Sequence, residues 1–227
     1  MRRFDILDAW RTLAIVLMAA YHFLYDLYIF GVISADQLFS APLNVLERFI
    51  CCSFILLAGA SARFSRNNLR HGLVVLGAGL VVEIGAAVAG QTIRFGVLML
   101  LGSSMVLWHV LGKGLQRLPG WSVAAGSGVL FFAARWWTGR TAVSVPWLYP
   151  LGFISPGFYS ADYFPLLPWF FLFLTGTALG GWCLAHRENR LLTVSLPGVL
   201  TWPGRHSLII YVLHQPVLYG ISYLIWR

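Results

Sequence analysis

Apolar residues in this chain come in seven runs, separated by short polar connections that hold most of the charges. The runs cover residues 10–33, 43–62, 72–89, 95–111, 121–137, 163–185 and 207–226. Each is close to the roughly 20 residues that carry a helix across a bilayer. The fifth is the weakest, because it is short and Gly126 and Gly128 interrupt it. The pattern predicts an all-α fold: a polytopic membrane bundle of about seven transmembrane helices, forming a single integral-membrane domain over residues 1–227. Short connections make successive helices antiparallel neighbours. The exception is the segment 138–162, rich in Pro, Gly and aromatics. It reads either as an aromatic belt at the headgroups or as an ordered functional loop at the outer mouth.

The first run breaks the rule that charge stays outside. Residues 7–27, LDAWRTLAIVLMAAYHFLYDL, place Arg11 near the start and His22 and Asp26 well inside. A charge at the centre of a membrane helix costs about 2.5–3.5 kcal/mol on insertion scales, so such residues face protein or water rather than lipid. Arg11 and His22 are eleven positions apart, about three turns, which puts them on one face roughly 16 Å apart along the axis. Asp26 follows His22 by four positions, the spacing that makes a histidine–carboxylate pair available. Such a pair suits a general base. The plainer readings are an anchoring ion pair of Arg11 with Asp8 and a structurally satisfied histidine at 22.

Composition supports the membrane assignment: 59% of the residues are hydrophobic, 11% are charged, and the mean hydropathy is +0.75. The net charge of +8 sits mainly in the connections between apolar runs, which argues against nucleic-acid binding. Arg2, Arg3, Arg63, Arg66, Arg70, Lys113, Arg117, Arg187, Arg190 and Arg205 fall on one side of the alternating helices. Arg48, Arg94, Arg140 and Arg227 fall on the other. The positive-inside rule then predicts a cytoplasmic N-terminus and an outer C-terminus in the cytoplasmic (inner) membrane. The acids and the length of the first run predict a retained span rather than a cleaved signal peptide. Cys51, Cys52 and Cys183 form no disulfide or metal set and read as packing residues.

The stretch LDAWRTLAIVLMAAYH resembles the first-helix signature of the transmembrane acyltransferases, with Arg11 followed by His22 at the family's spacing. Taken with YHFLYDL (21–27), IRFGVLMLLG (93–102), DYFPLLPWFFLFLTGTALG (162–180) and GRHSLIIYVLHQPVL (204–218), the chain resembles the small prokaryotic relatives of heparan-alpha-glucosaminide N-acetyltransferase. The resemblance implies a membrane-bound acyltransferase that uses acetyl-CoA from the cytoplasm as donor and a saccharide-like amine or hydroxyl on the far side as acceptor. It implies that Arg11 meets CoA phosphates while His22 acts as base or as a transiently acylated nucleophile. Three departures stand out. Thr12 replaces a glycine, Met99 stands where many relatives have histidine, and residues 31–42 lack the histidine that the eukaryotic enzyme carries in that loop.

Other candidates follow from placement. His214, with Ser207 and Tyr211 on nearly the same face and Pro216 beyond, reads as a second acid–base group or a helix contact. Glu47, next to Arg48, reads as a group near the acceptor or an interfacial ion pair. Arg63 and Arg205 sit at cytoplasmic helix ends, where they could clamp phosphate. Glu83 is too deep to reach water and should pair with Arg94 or a histidine, and Asp162 reads as the N-cap of the sixth run. A homo-oligomer is left open. A small-solute or proton-coupled transporter is the rival function, because buried His, Asp and Glu also build proton relays; no inverted repeat or paired broken helices supports it. A catalytically inert membrane scaffold is the third reading.

Overall fold

The computed structural model describes residues 4–141 and 143–226. Arg2, Arg3 and Arg227, which entered the charge-bias argument, lie outside the described residues, as does Ala142. Among the described residues there is no strand. The long helices are α1 (Asp5–Ile29), α3 (Ala41–Phe64), α4 (Asn68–Val88), α5 (Val97–Leu115), α6 (Gly120–Thr138), α7 (Leu166–Ala185) and α10 (Ser207–Trp226). Short helices α2 (Ala35–Leu38), α8 (Arg190–Thr193) and α9 (Gly198–Arg205) and a 3-10 turn at Pro146–Leu151 lie between them. The chain is an all-helical polytopic membrane bundle, and each predicted run overlaps one long helix.

The packing divides the chain into two compact units, residues 1–54 with 186–227, and residues 55–185. In the first unit α1 packs on α9 and α10. Its apolar core joins Ala14, Ile15 and Met18 of α1 to Ile50 and Phe54 of α3, with Ile210 and Tyr211 of α10 against them. Trp10 Nε1 donates to Ser53 Oγ at 3.2 Å. Contacts between α1 and α10 advance together along both helices: the Arg11 guanidinium reaches the Gly204 carbonyl at the entry to α10, His22 meets His214, and Phe30 meets Tyr219. The two helices therefore run parallel.

That direction bears on a discrepancy. Among the described residues six helices are long and apolar enough to cross a membrane, and α6 is not among them. Its glycines and serines, together with Arg135, dilute its apolar character. Two parallel spans must be separated by an odd number of crossings. With α3, α4, α5 and α7 each crossing once, α6 has to be the fifth.

In the second unit α4 packs on α5, α6 on α7, and the C-terminal part of α3 on α7. These contacts are backbone-close. A Cβ at Gly176 would collide with the Leu56 backbone, and one at Gly180 would lie 2.6 Å from the Ala60 carbonyl. Small residues permit this approach, which in lipid supplies the van der Waals contact that drives helix association.

Two expectations about acids are corrected here. Glu83 pairs with neither Arg94 nor a histidine; its Oε1 accepts from the backbone N–H of Phe95 at 2.7 Å and of Gly96 at 3.3 Å. Asp162 does not cap its own helix, which starts later, at Leu166; its Oδ2 accepts from Val97 N–H at 3.2 Å. Pro165 and Pro168 delay α7, and Leu167, before a proline, has non-helical angles as expected from steric exclusion of the α region. Both carboxylates thus sit at the N-terminus of α5, where the first backbone N–H groups lack helical partners and the helix dipole favours negative charge. Phe95 turns the chain into this cap with φ of 57°.

The described residues at the end of the 138–162 segment are tied to the same place. Arg94 N–H donates to Ser160 Oγ at 2.9 Å and Ala161 N–H to the Thr92 carbonyl at 2.8 Å. Tyr149, Phe158 and Tyr163 pack in series with tilted rings, and the Tyr163 hydroxyl donates to the Tyr149 carbonyl at 2.6 Å. Burial, then the neighbouring Tyr149, pushes the Tyr163 phenol up to about 12, so it holds its proton as a donor throughout the ordinary pH range.

Helix α6 is expected to cross the membrane. In a background with Cys51 and Cys52 replaced by serine, Gln116→Cys and Ser144→Cys, which flank α6, should react with an impermeant maleimide from opposite faces of a sealed vesicle. Reaction of both from the same face would remove α6 from the membrane.

Candidate functional site

The polar residues of α1 are organised into two clusters, one at its N-terminal end and one in its C-terminal half. At the N-terminal end Asp8 bridges two arginines. Its Oδ1 lies 3.1 Å from Arg11 Nη1 and its Oδ2 lies 3.1 Å from Arg205 Nε. Arg205 Nη2 reaches Asp5 Oδ1 at 2.8 Å, and Asp5 Oδ2 accepts from Leu196 N–H. The Arg205 guanidinium is held above its ordinary range by its hydrogen bond to Asp8, with Asp5 adding to it. The anchoring pair of Arg11 with Asp8 is therefore formed. Arg11 and Arg205 are brought together as the phosphate hypothesis needs, but each already holds a carboxylate.

Thr12 has a role a glycine could not fill. Its hydroxyl donates to the Asp8 carbonyl at 3.1 Å and accepts from Gly204 N–H at 2.9 Å, which ties α9 to α1. Gly204 is obligatory at this crossing, since a Cβ there would collide with the Asp8 carbonyl.

The second cluster is formed where α1 faces α10. The imidazoles of His22 and His214 lie edge to face, with ring centroids 4.8 Å apart and planes at 65°. Nδ1 of His214 lies 2.6 Å from the Tyr211 carbonyl. The tautomer assigned from that geometry has Nδ1 donating and leaves Nε2 as the basic nitrogen, which is buried and has no hydrogen-bond partner among the described residues. His22 is half-buried and makes ring contacts with Tyr21 and His214.

Asp26 is fully buried. Its Oδ1 accepts from Gln215 Nε2 at 2.8 Å, while its Oδ2 has no partner among the described residues. The expected pairing of Asp26 with His22 is replaced by one with Gln215: the amide on α10 occupies the carboxylate, and the second histidine stands beside His22 instead. Glu47 is partly buried on α3 and lies within electrostatic range of the Tyr21 phenol. The first unit thus gathers His22, Asp26, Glu47, His214, Arg11 and Arg205. Arg63 belongs to the second unit, where its side chain runs along Gly180 and Gly181 of α7.

The sequence reading missed Gln215 and the bridging role of Asp8 and Asp5. A signal existed for Gln215, a lone amide deep in an apolar run beside a histidine, which lipid makes costly unless it is paired. Among the described residues no group of His, Cys, Asp and Glu could hold a metal ion.

Fold and site together define a polytopic membrane protein with two polar clusters on its first helix, separated by an apolar stretch, and a histidine pair in the second. The family model described as heparan-alpha-glucosaminide N-acetyltransferase, catalytic, matches residues 3–216; the chain belongs to that family and is a membrane acetyltransferase. No curated protein and no solved structure matches the chain. The matched region includes both histidines, both arginines of the N-terminal cluster, and Gln215.

A double-mutant cycle checks the seam. Gln215→Leu and Asp26→Leu should each lower the unfolding free energy in detergent. Their coupling should be about 1 kcal/mol, the scale of an interhelical hydrogen bond in a membrane protein. The double variant should lose less than the sum, since removing both partners leaves no buried orphan.

Proposed function

We propose that this protein moves an acetyl group from cytoplasmic acetyl-CoA to an amine or hydroxyl of a saccharide-like acceptor presented at the outer side of the inner membrane. The single observation that carries this reading is the His22–His214 imidazole pair, set within the α1–α10 seam of a chain that belongs to an acetyltransferase family. Arg11 and Arg205 are the proposed contacts for the donor's phosphates, because guanidinium meets phosphate bidentately. For Arg11 and Arg205 this requires exchange of the Asp5 and Asp8 carboxylates for phosphate oxygens, a rearrangement that couples donor binding to the N-terminal cluster.

His22 is the proposed reacting group. The acceptor nitrogen or oxygen adds to the thioester carbonyl carbon as its proton passes to the His22 imidazole. The C–S bond then breaks, the acetyl group remains on the acceptor, and the departing CoA sulfur takes up the proton. In the covalent variant the imidazole attacks first and carries the acetyl group before the acceptor does. His214 acts as the second acid–base group through Nε2, with Nδ1 fixed by the Tyr211 carbonyl. Asp26 sets the seam with Gln215, and Glu47 is the proposed group on the acceptor side.

Purified protein given radiolabelled acetyl-CoA and membrane or glycan extracts should transfer label to an acceptor. His22→Ala should lower the rate about 10²–10⁴-fold, the usual loss for a missing acid–base group. Label retained on wild-type protein without acceptor, and lost in His22→Ala, would assign the covalent variant. Folded wild type that neither binds nor consumes acetyl-CoA would overturn the function.

A further inference from the structure

The segment between α7 and α10 presents an apolar face that the described residues leave exposed. In α9 the environment divides cleanly by angle. Thr201 and Gly204 are buried against α1, with Gly204 fixed by Thr12. Val199 and Trp202, one turn apart, point the opposite way and are 77% and 57% exposed. Upstream, Leu191 of α8 is 68% exposed and Val194 is exposed as well. His206 stacks on Trp202 with centroids 4.5 Å apart, and its Nδ1 lies 2.9 Å from the Trp202 carbonyl.

Water is a poor environment for such a face, since an exposed run of Leu, Val and Trp marks an interaction surface. Three observations select the occupant. First, α10 begins one residue after His206 and exposes Ile209, Leu213 and Val217, so the uncovered face continues directly into that of a spanning helix. Second, the same segment carries exposed Arg187 and Arg190, and Arg205 lies at its end, a cationic fringe beside an apolar face. Third, Trp202 is the residue type enriched where hydrocarbon gives way to headgroups. A basic amphipathic helix with this arrangement lies in the plane of the interface.

We infer that α9, with the α8 turn before it, is a monotopic element seated in the leaflet on the side of the N-terminal end of α1, with Val199 and Trp202 in the acyl boundary and Arg187 and Arg190 on anionic headgroups. The same helix supplies Gly204 and Arg205 to the cluster that holds Arg11, so the bilayer itself braces that cluster. The inference concerns position in the membrane and stands independently of the proposed reaction.

The test uses the full chain in liposomes of phosphatidylethanolamine and phosphatidylglycerol, with Cys51 and Cys52 changed to serine; Cys183 is buried. Nitroxides are placed by Val199→Cys, Trp202→Cys and, as an aqueous reference, Glu188→Cys. The ratio of collisions with oxygen to collisions with a water-soluble nickel chelate should be several-fold higher at 199 and 202 than at 188. It should fall at 199 when phosphatidylcholine replaces phosphatidylglycerol. Nickel-dominated collisions at 199 and 202 would overturn the inference, as would protection from both reagents, which would place protein there. Indifference to the lipid exchange would overturn the role given to the arginines.

Discussion

Everything in this protein depends on one constraint: a polar group inside an apolar span has no water to turn to, so its partner must come from another part of the chain. Helix α1 carries more such groups than any other span, and the segment following α7 answers them one by one. Gly204 and Arg205 meet Thr12, Asp8 and Asp5; His214 meets His22; Gln215 meets Asp26. These contacts join residues nearly two hundred positions apart in sequence. They fix α10 parallel to α1, and that direction in turn requires an odd number of intervening spans and makes α6 a crossing helix despite its weaker apolar character.

The same constraint explains the second unit without chemistry. Glu83 and Asp162 lie on different elements, yet both end on the backbone N–H groups that open α5. A helix start near a membrane edge needs acceptors, and two carboxylates provide them while holding the 138–162 segment to the 92–97 turn. Their charge is consumed by the architecture, which is why neither belongs with the candidate site.

The helices were legible because their signal is simple: length and apolar content decide them locally. The face shared by Arg11 and His22 was legible from helical periodicity, and the Arg11–Asp8 pair from i,i+3 spacing. What periodicity cannot give is the partner across the bundle. Asp26 and His22 have the right spacing to pair, but the amide of Gln215, contributed by another helix, takes the carboxylate. Glu83 was assigned a charged partner because charge pairing is the obvious remedy for a buried acid, whereas open backbone N–H groups at a helix start serve as well and leave no mark in composition. Asp162 has the sequence of an N-cap, and it caps, but for a helix that precedes it. The short amphipathic α9 was hidden between two apolar runs, being too brief for its period to register.

The central claim is that the α1–α10 seam is where the donor's acyl group reacts. Photolabelling tests it directly. An acetyl-CoA analogue with a photoreactive acyl end would be irradiated with the intact protein in membranes, and its adducts mapped by peptide mass spectrometry. Adducts on α1 around His22 and on α10 around His214, suppressed by excess acetyl-CoA, are the predicted result. Adducts confined to residues 55–185, equally suppressed, would contradict it and move the reaction out of the seam.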